Sequence, residues 1–143
     1  PYPLEADASL KHYAGALCAA FAQGGAVTGG NSQFYFVAAL PDSVSSDQQA
    51  ELAQNGYTDS QVAAYAAVGG LPYLDNTDTV FGQIYQGMDV VDTMACVETT
   101  KDEDGNDTWK PTEDAAITIE KVTITTYPGP AAGDEATSDS SVG

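Results

Sequence analysis

Gln33 and Tyr35 are the side chains whose type and spacing could grip a ligand together. They lie in NSQFYFV, Asn31 to Val37. Side chains alternate across an extended backbone, so Gln33, Tyr35 and Val37 share one face while Phe34, Phe36 and Ala38 share the other. The first face offers an amide and a phenol to a site; the second can fill a core. His12 is the one histidine and has the ring of a general base, but no serine or cysteine partner accompanies it, and it reads as structural. The acidic stretch DEDGND, Asp102 to Asp107, invites a calcium-loop reading. With Gly105 at the sixth position of such a loop, Thr100 falls first and Pro111 last, so the opening Asp and the closing Glu are both missing. A solvated turn with Asp104-Gly105 or Gly105-Asn106 at its corner fits better. Cys18 and Cys96 have no repeated spacing, define neither a zinc site nor a disulfide framework, and read as free packed thiols rather than a pair. No metal or cofactor is expected.

These residues need elements to position them. Ala16 to Ala20 is a short apolar run broken by Gly24, Gly25, Gly29 and Gly30, which predicts a strand entering a loop ahead of the Gln33 strand. Between Pro41 and Pro72 the spacing predicts two short helices. Ser46 with Gln49, and Thr58 with Gln61, match the capping box, and Gly56 and Gly69 stand where helices stop. The second helix presents Val62, Tyr65 and Ala66 on one face. Thr79 to Gln86 is rich in strand formers, and Gly87 hands over to a helix with Met88, Val91 and Ala95 on one side. A last strand is expected over about Ala116 to Thr126, with a bulge where the apolar phase slips at Glu120 and Lys121. Phe34, Phe36, Val80 and Phe81 read as core. After Tyr127 the composition turns to Pro, Gly, Ala, Ser and acids, a flexible acidic tail over 128–143.

The chain has 143 residues, 21 acids against four lysines (Lys11, Lys101, Lys110 and Lys121) and no arginine, for a formal net charge of -17. That field repels phosphate backbones and anionic lipid, which argues against nucleic-acid or membrane-surface binding. No apolar run is long enough for a bilayer, so no membrane span is expected. The chain starts at Pro1 rather than Met, which suggests a processed or truncated product. Its compartment is open, with an extracytoplasmic or cell-surface placement slightly favoured over a cytoplasmic one. Length and apolar content suit one domain with a real core. Strands with few helices suit a β-barrel or a sandwich.

Four stretches in order resemble the second half of a cyclophilin, the family that isomerises the bond before proline. They are LKHYAGALCAA (Leu10 to Ala20), NSQFYFV, the rim Tyr73-Leu74-Asp75, and TVFGQIYQGMDVVDTM (Thr79 to Met94). The resemblance runs from Leu10 to about Ile124. It implies a mainly β fold, a cyclophilin-like β-barrel incomplete in this chain, with short helices. The domain would cover 1–127, interrupted by a two-helix insertion at 42–71.

Isomerisation must break the partial double bond of the amide, a barrier of about 20 kcal/mol. Differential binding of the twisted state is enough, without a nucleophile, metal or redox cofactor. By resemblance Tyr35 floors the proline pocket and Leu74 lines its side, with core packing the alternative for both. Gln33 orders the substrate. Ala20, Phe21 and Ala22 offer backbone hydrogen bonds to the bound peptide, with Phe21 replacing the asparagine usual in the family. Tyr73 takes the place of a rim aromatic, and Asp78 stands where many members have histidine, substituting an anion. The family's arginine donor to the prolyl nitrogen belongs to the half not represented here, and a lysine is no geometric substitute for a guanidinium. The resemblance implies a peptidyl-prolyl isomerase that assists folding, weak or inactive as this fragment alone. Non-catalytic proline-peptide binding and a purely structural domain are the alternatives. An upstream Phe-His-Arg type strand would favour the enzyme, and inhibition by a cyclosporin-like ligand would argue against a structural role. Proline-containing polypeptides are the implied partners. An open half-barrel also calls for an N-terminal companion fragment or self-association to cover it. The 42–71 insertion joins the Gln33 strand to the rim, as a stabilising cap or as a lid over the pocket.

Overall fold

A computed structural model describes residues 2–22, 29–127 and 129. The predicted loop around Gly24 and Gly25, and the predicted tail apart from Gly129, lie outside the described residues. Three antiparallel strands form the main sheet: β1 (Ala16–Ala22) sits centrally between β2 (Gly29–Phe36) and β3 (Thr79–Gln83). Cys18 pairs with Tyr35 on one side and Val80 on the other, while Ala19 pairs with Phe34 and Thr79. The fold is mainly strands and sheets with three short helices, and among the described residues the strands close no barrel, in keeping with an incomplete one.

The 42–71 segment folds as two helices, α1 (Ser46–Gln54) and α2 (Asp59–Val68). Thr58 and Gln61 form the predicted capping box of α2. The box of α1 is Ser45 with Gln48, one residue ahead of the predicted Ser46 with Gln49, because Ser45 is the extended residue at the helix start. Gln49 instead donates to the Val44 carbonyl at 3.0 Å. Tyr65 is fully buried on the predicted face of α2. The chain then returns through Gly69 and Gly70 to a short 3₁₀ turn, Pro72–Leu74, that forms the rim. Gly70 has φ +149°, and a Cβ there would lie 2.4 Å from the His12 carbonyl oxygen, so only glycine lets the insertion come back this close. Beyond β3, α3 (Met88–Ala95) buries Val91, and β4 (Thr99–Lys101) pairs with β5 (Asp107–Pro111). The acidic stretch is the turn of that hairpin. Asp102 accepts from the backbone N–H of Asp104 and Asn106, and Lys101 pairs with Asp107 at 2.7 Å.

Two packed clusters make the core. Ala16, Cys18 and Val37 gather Tyr35, Ala39, Leu71 and Val80; Val44, Leu52 and Tyr65 gather Tyr13, Tyr57 and Val62. Strand alternation is as expected, but the buried side is not. The Tyr35–Val37 face is covered, whereas Phe34 and Phe81, expected in the core, are 50% and 56% exposed, and Phe36 is exposed too. Burial depends on what covers a face, and within the described residues nothing covers this one. Val80 alone of the expected four packs on the core. The strand expected over Ala116 to Thr126 is not formed: these residues pair with no strand among the described residues, and Ile124 is 93% exposed. Among the described residues its alternating apolar pattern has no ladder partner, so the expected bulge has nothing to interrupt.

Candidate functional site

Two aspartates three residues apart on the rim organise the covered side of the sheet. Asp75 is buried and accepts four hydrogen bonds. Its Oδ1 takes the backbone N–H and the Nδ1 of His12, both at 2.9 Å. Its Oδ2 takes the hydroxyls of Tyr57 at 2.8 Å and Tyr65 at 2.7 Å. Lys11 Nζ lies 3.7 Å from Oδ2 and 4.3 Å from the centroid of the Tyr57 ring. Burial alone would raise the Asp75 carboxyl, but the bonds from His12 and then the two tyrosines overcome it and hold the group below the ordinary carboxylate range. An ionised carboxylate only accepts, so Nδ1 of His12 donates in this bond. His12 is thereby buried and tied to the rim. Its buried Nε2 has no partner among the described residues. Burial, then the Asp75 bond, raises the Tyr57 and Tyr65 phenols well above the usual tyrosine range.

Asp78 holds the second cluster. Leu74 closes a turn whose carbonyl accepts from the Thr77 hydroxyl at 2.8 Å and from the Asp78 N–H at 3.3 Å, which fixes the Asp78 backbone. Asp78 Oδ2 accepts the Tyr35 hydroxyl at 2.6 Å, and Oδ1 accepts the Phe21 backbone N–H at 3.1 Å. Tyr35 is half-buried, and its ring stacks on His12 with centroids 6.5 Å apart, so the two clusters touch. Burial and then the Asp78 bond raise the Tyr35 phenol, which stays protonated and donates. Beneath it Cys18 is fully buried, and burial pushes its thiol up to about 11 against the pull of Tyr35. A thiol so placed is a poor nucleophile.

The structure thus brings Tyr35, Phe21, Leu74 and Asp78 together, with Ala20 and Ala22 flanking Phe21 on β1. It does not bring Gln33 or Tyr73 to them. Gln33 is exposed and lines a cleft of roughly 330 Å³ with Tyr2, Ala19, Phe34 and Phe81. Tyr73, 72% exposed, lines another of roughly 370 Å³ against α1, with Leu52 and Tyr57. Sequence reasoning missed the role of Asp75 as the acceptor that ties the insertion to the rim. It also took both cysteines as packed, but Cys96 is exposed. Among the described residues no group of three or more His, Cys, Asp or Glu is arranged to hold a metal ion.

A half-buried phenol, a carboxylate and a backbone amide of β1 converge, with no activated nucleophile among them. Residues 1–124 match the family model described as Cyclophilin type peptidyl-prolyl cis-trans isomerase/CLD. The chain is also 41% identical over 66 residues to a Staphylococcus saprophyticus protein named "Putative peptidyl-prolyl cis-trans isomerase". That match covers 45% of this chain and 32% of the relative, so the chain spans about a third of the relative's length.

Proposed function

The chain belongs to the cyclophilin-type peptidyl-prolyl cis-trans isomerase family, and from that premise we propose that it supplies the peptide-holding side of a prolyl isomerase. The observation that carries this reading is the convergence of Tyr35 and the Phe21 backbone N–H on Asp78. In this reading Tyr35 floors the proline pocket, Leu74 bounds it, and Ala20 to Ala22 present backbone groups to an extended proline peptide. Gln33 and Tyr73 would reach the peptide only from the edges of their own clefts. A twisted amide also needs a donor to its nitrogen, and this sequence contains no arginine to provide one. These residues alone would therefore bind proline peptides, or a cyclosporin-like macrocycle, while isomerising slowly. The open Phe34–Phe36–Phe81 face would be covered by a companion polypeptide or a second copy of the chain.

NMR tests both halves of the reading. A proline tetrapeptide titrated into ¹⁵N-labelled chain should shift the amides of Ala20 to Ala22 and Tyr35. Exchange spectroscopy should show little acceleration of cis/trans interconversion. Unmoved amides at saturating peptide would refute the binding role, and exchange at the full rate of a complete isomerase would refute the need for an outside donor.

A further inference from the structure

We propose that Asp78 makes the site selective for proline peptides carrying a lysine or arginine beside the proline. The inference rests on the proline-peptide reading above and adds the charge of the substrate. Its basis is a contrast between neighbours. Asp75 has a cation, Lys11, and four donors, and is buried. Asp78 is only half-buried, and each of its oxygens takes one hydrogen bond. A carboxylate has about four acceptor positions, so lone pairs remain on both oxygens. Among the described residues the lysine ion pairs are Lys11 with Asp75 and Lys101 with Asp107; Asp78 has none.

A partly desolvated anion without a counter-ion favours a cation from outside. Asp78 is tied to the Tyr35 hydroxyl and the Phe21 N–H, so in the reading above it borders the ground that a bound peptide would occupy. A peptide seated there brings its neighbouring side chains within reach of the carboxylate. A long flexible lysine can supply a point charge, and a guanidinium can pair with both oxygens. With 21 acids against four lysines, the chain's overall field also draws cationic peptides inward. Salt screens that field, whereas a local pair persists better.

Fluorescence anisotropy with the full chain separates the two contributions, using labelled Ala-Lys-Pro-Phe, Ala-Ala-Pro-Phe and Ala-Glu-Pro-Phe. The lysine peptide should bind about three- to tenfold tighter than the alanine peptide, and the glutamate peptide more weakly than either. Asp78→Asn should shrink the lysine preference to within about twofold. Asp104→Asn, the same charge change on the exposed hairpin turn, should leave it intact. Equal affinities, or a preference unchanged by Asp78→Asn, would overturn the proposal while leaving proline binding standing. If no peptide binds, the proline-peptide reading falls and this one with it. Should Asp78→Asn not fold, the wild-type chain decides. The Asp78 carboxyl carbon should shift with the lysine peptide and not with its acetyl-lysine counterpart, and equal shifts overturn the assignment.

Discussion

Replacing Asp75 should remove more stability than any other single change on the covered side of the sheet. Asp75→Ala leaves two His12 donors, two tyrosine hydroxyls and the Lys11 ammonium facing a gap, all of them now bound to the carboxylate within 2.7 to 3.7 Å. Removing one partner of a buried charged cluster costs about 3–5 kcal/mol. Stability for a chain this size is about 5–15 kcal/mol, so the variant should lie near its unfolding threshold. Asp75→Asn keeps one oxygen for His12 but turns an amide donor toward two hydroxyls that now donate, and should cost about 2–4 kcal/mol. The pH dependence is the sharper test. The folded carboxyl lies below its unfolded value of about 3.9. Its contribution is therefore fully present above that value and is lost as pH falls through the lower folded one. Urea unfolding followed by circular dichroism at pH 7, 5 and 3 should show the gap between wild type and Asp75→Asn steady from 7 to 5 and smaller at 3. A gap under about 1 kcal/mol at pH 7, or one that widens in acid, would refute the reasoning.

Three further outcomes follow from the same geometry. Cys96 should react with a thiol reagent at pH 8 in the folded chain, whereas Cys18, buried and pushed up to about 11, should label only on unfolding; mass spectrometry of the labelled peptides distinguishes them. Gly70→Ala should lower stability by about 1–3 kcal/mol, because its methyl would meet the His12 carbonyl and the Tyr65 ring, and a neutral result would mean the return of the insertion is looser than described. Phe34→Ser should change stability by less than about 1 kcal/mol, unlike a core phenylalanine. A loss of about 3 kcal/mol or more would show that something covers that face in solution, and light scattering would identify a second copy.

The parts legible in the sequence were those with local causes. The box at Thr58 and Gln61, the stop at Gly69 and the hairpin turn at Asp102 to Asp107 each depend on residues a few positions apart. Strand alternation in NSQFYFV was equally readable. Which face of that strand is buried was not, because it depends on elements far along the chain: Val37 is covered, and Phe34 lacks a cover among the described residues. The segment around Ile117 and Ile124 carries a strand pattern, but a pattern cannot supply a partner. Asp75 stood out only as a member of the rim motif, not as an acceptor; its bonds reach back 63 positions to His12 and 10 to Tyr65. The link between Tyr35 and Asp78 spans 43 positions, and only the family resemblance placed both near one pocket.

The shared carboxylate of Asp75 constrains how this chain can be altered by descent or by design. The helical insertion resembles a cassette that could be excised between Asp42 and Leu71 or exchanged with another. Yet two of its tyrosines complete the hydrogen bonding of a rim residue outside it, and that residue in turn orients His12 beneath Tyr35. Excision would strand a charge in the interior rather than leave a clean scar. A viable graft must carry equivalents of Tyr57 and Tyr65 together, or replace Asp75, Lys11 and His12 as a set. Variation in the insertion and around Tyr35 is thereby coupled, and neither can drift alone.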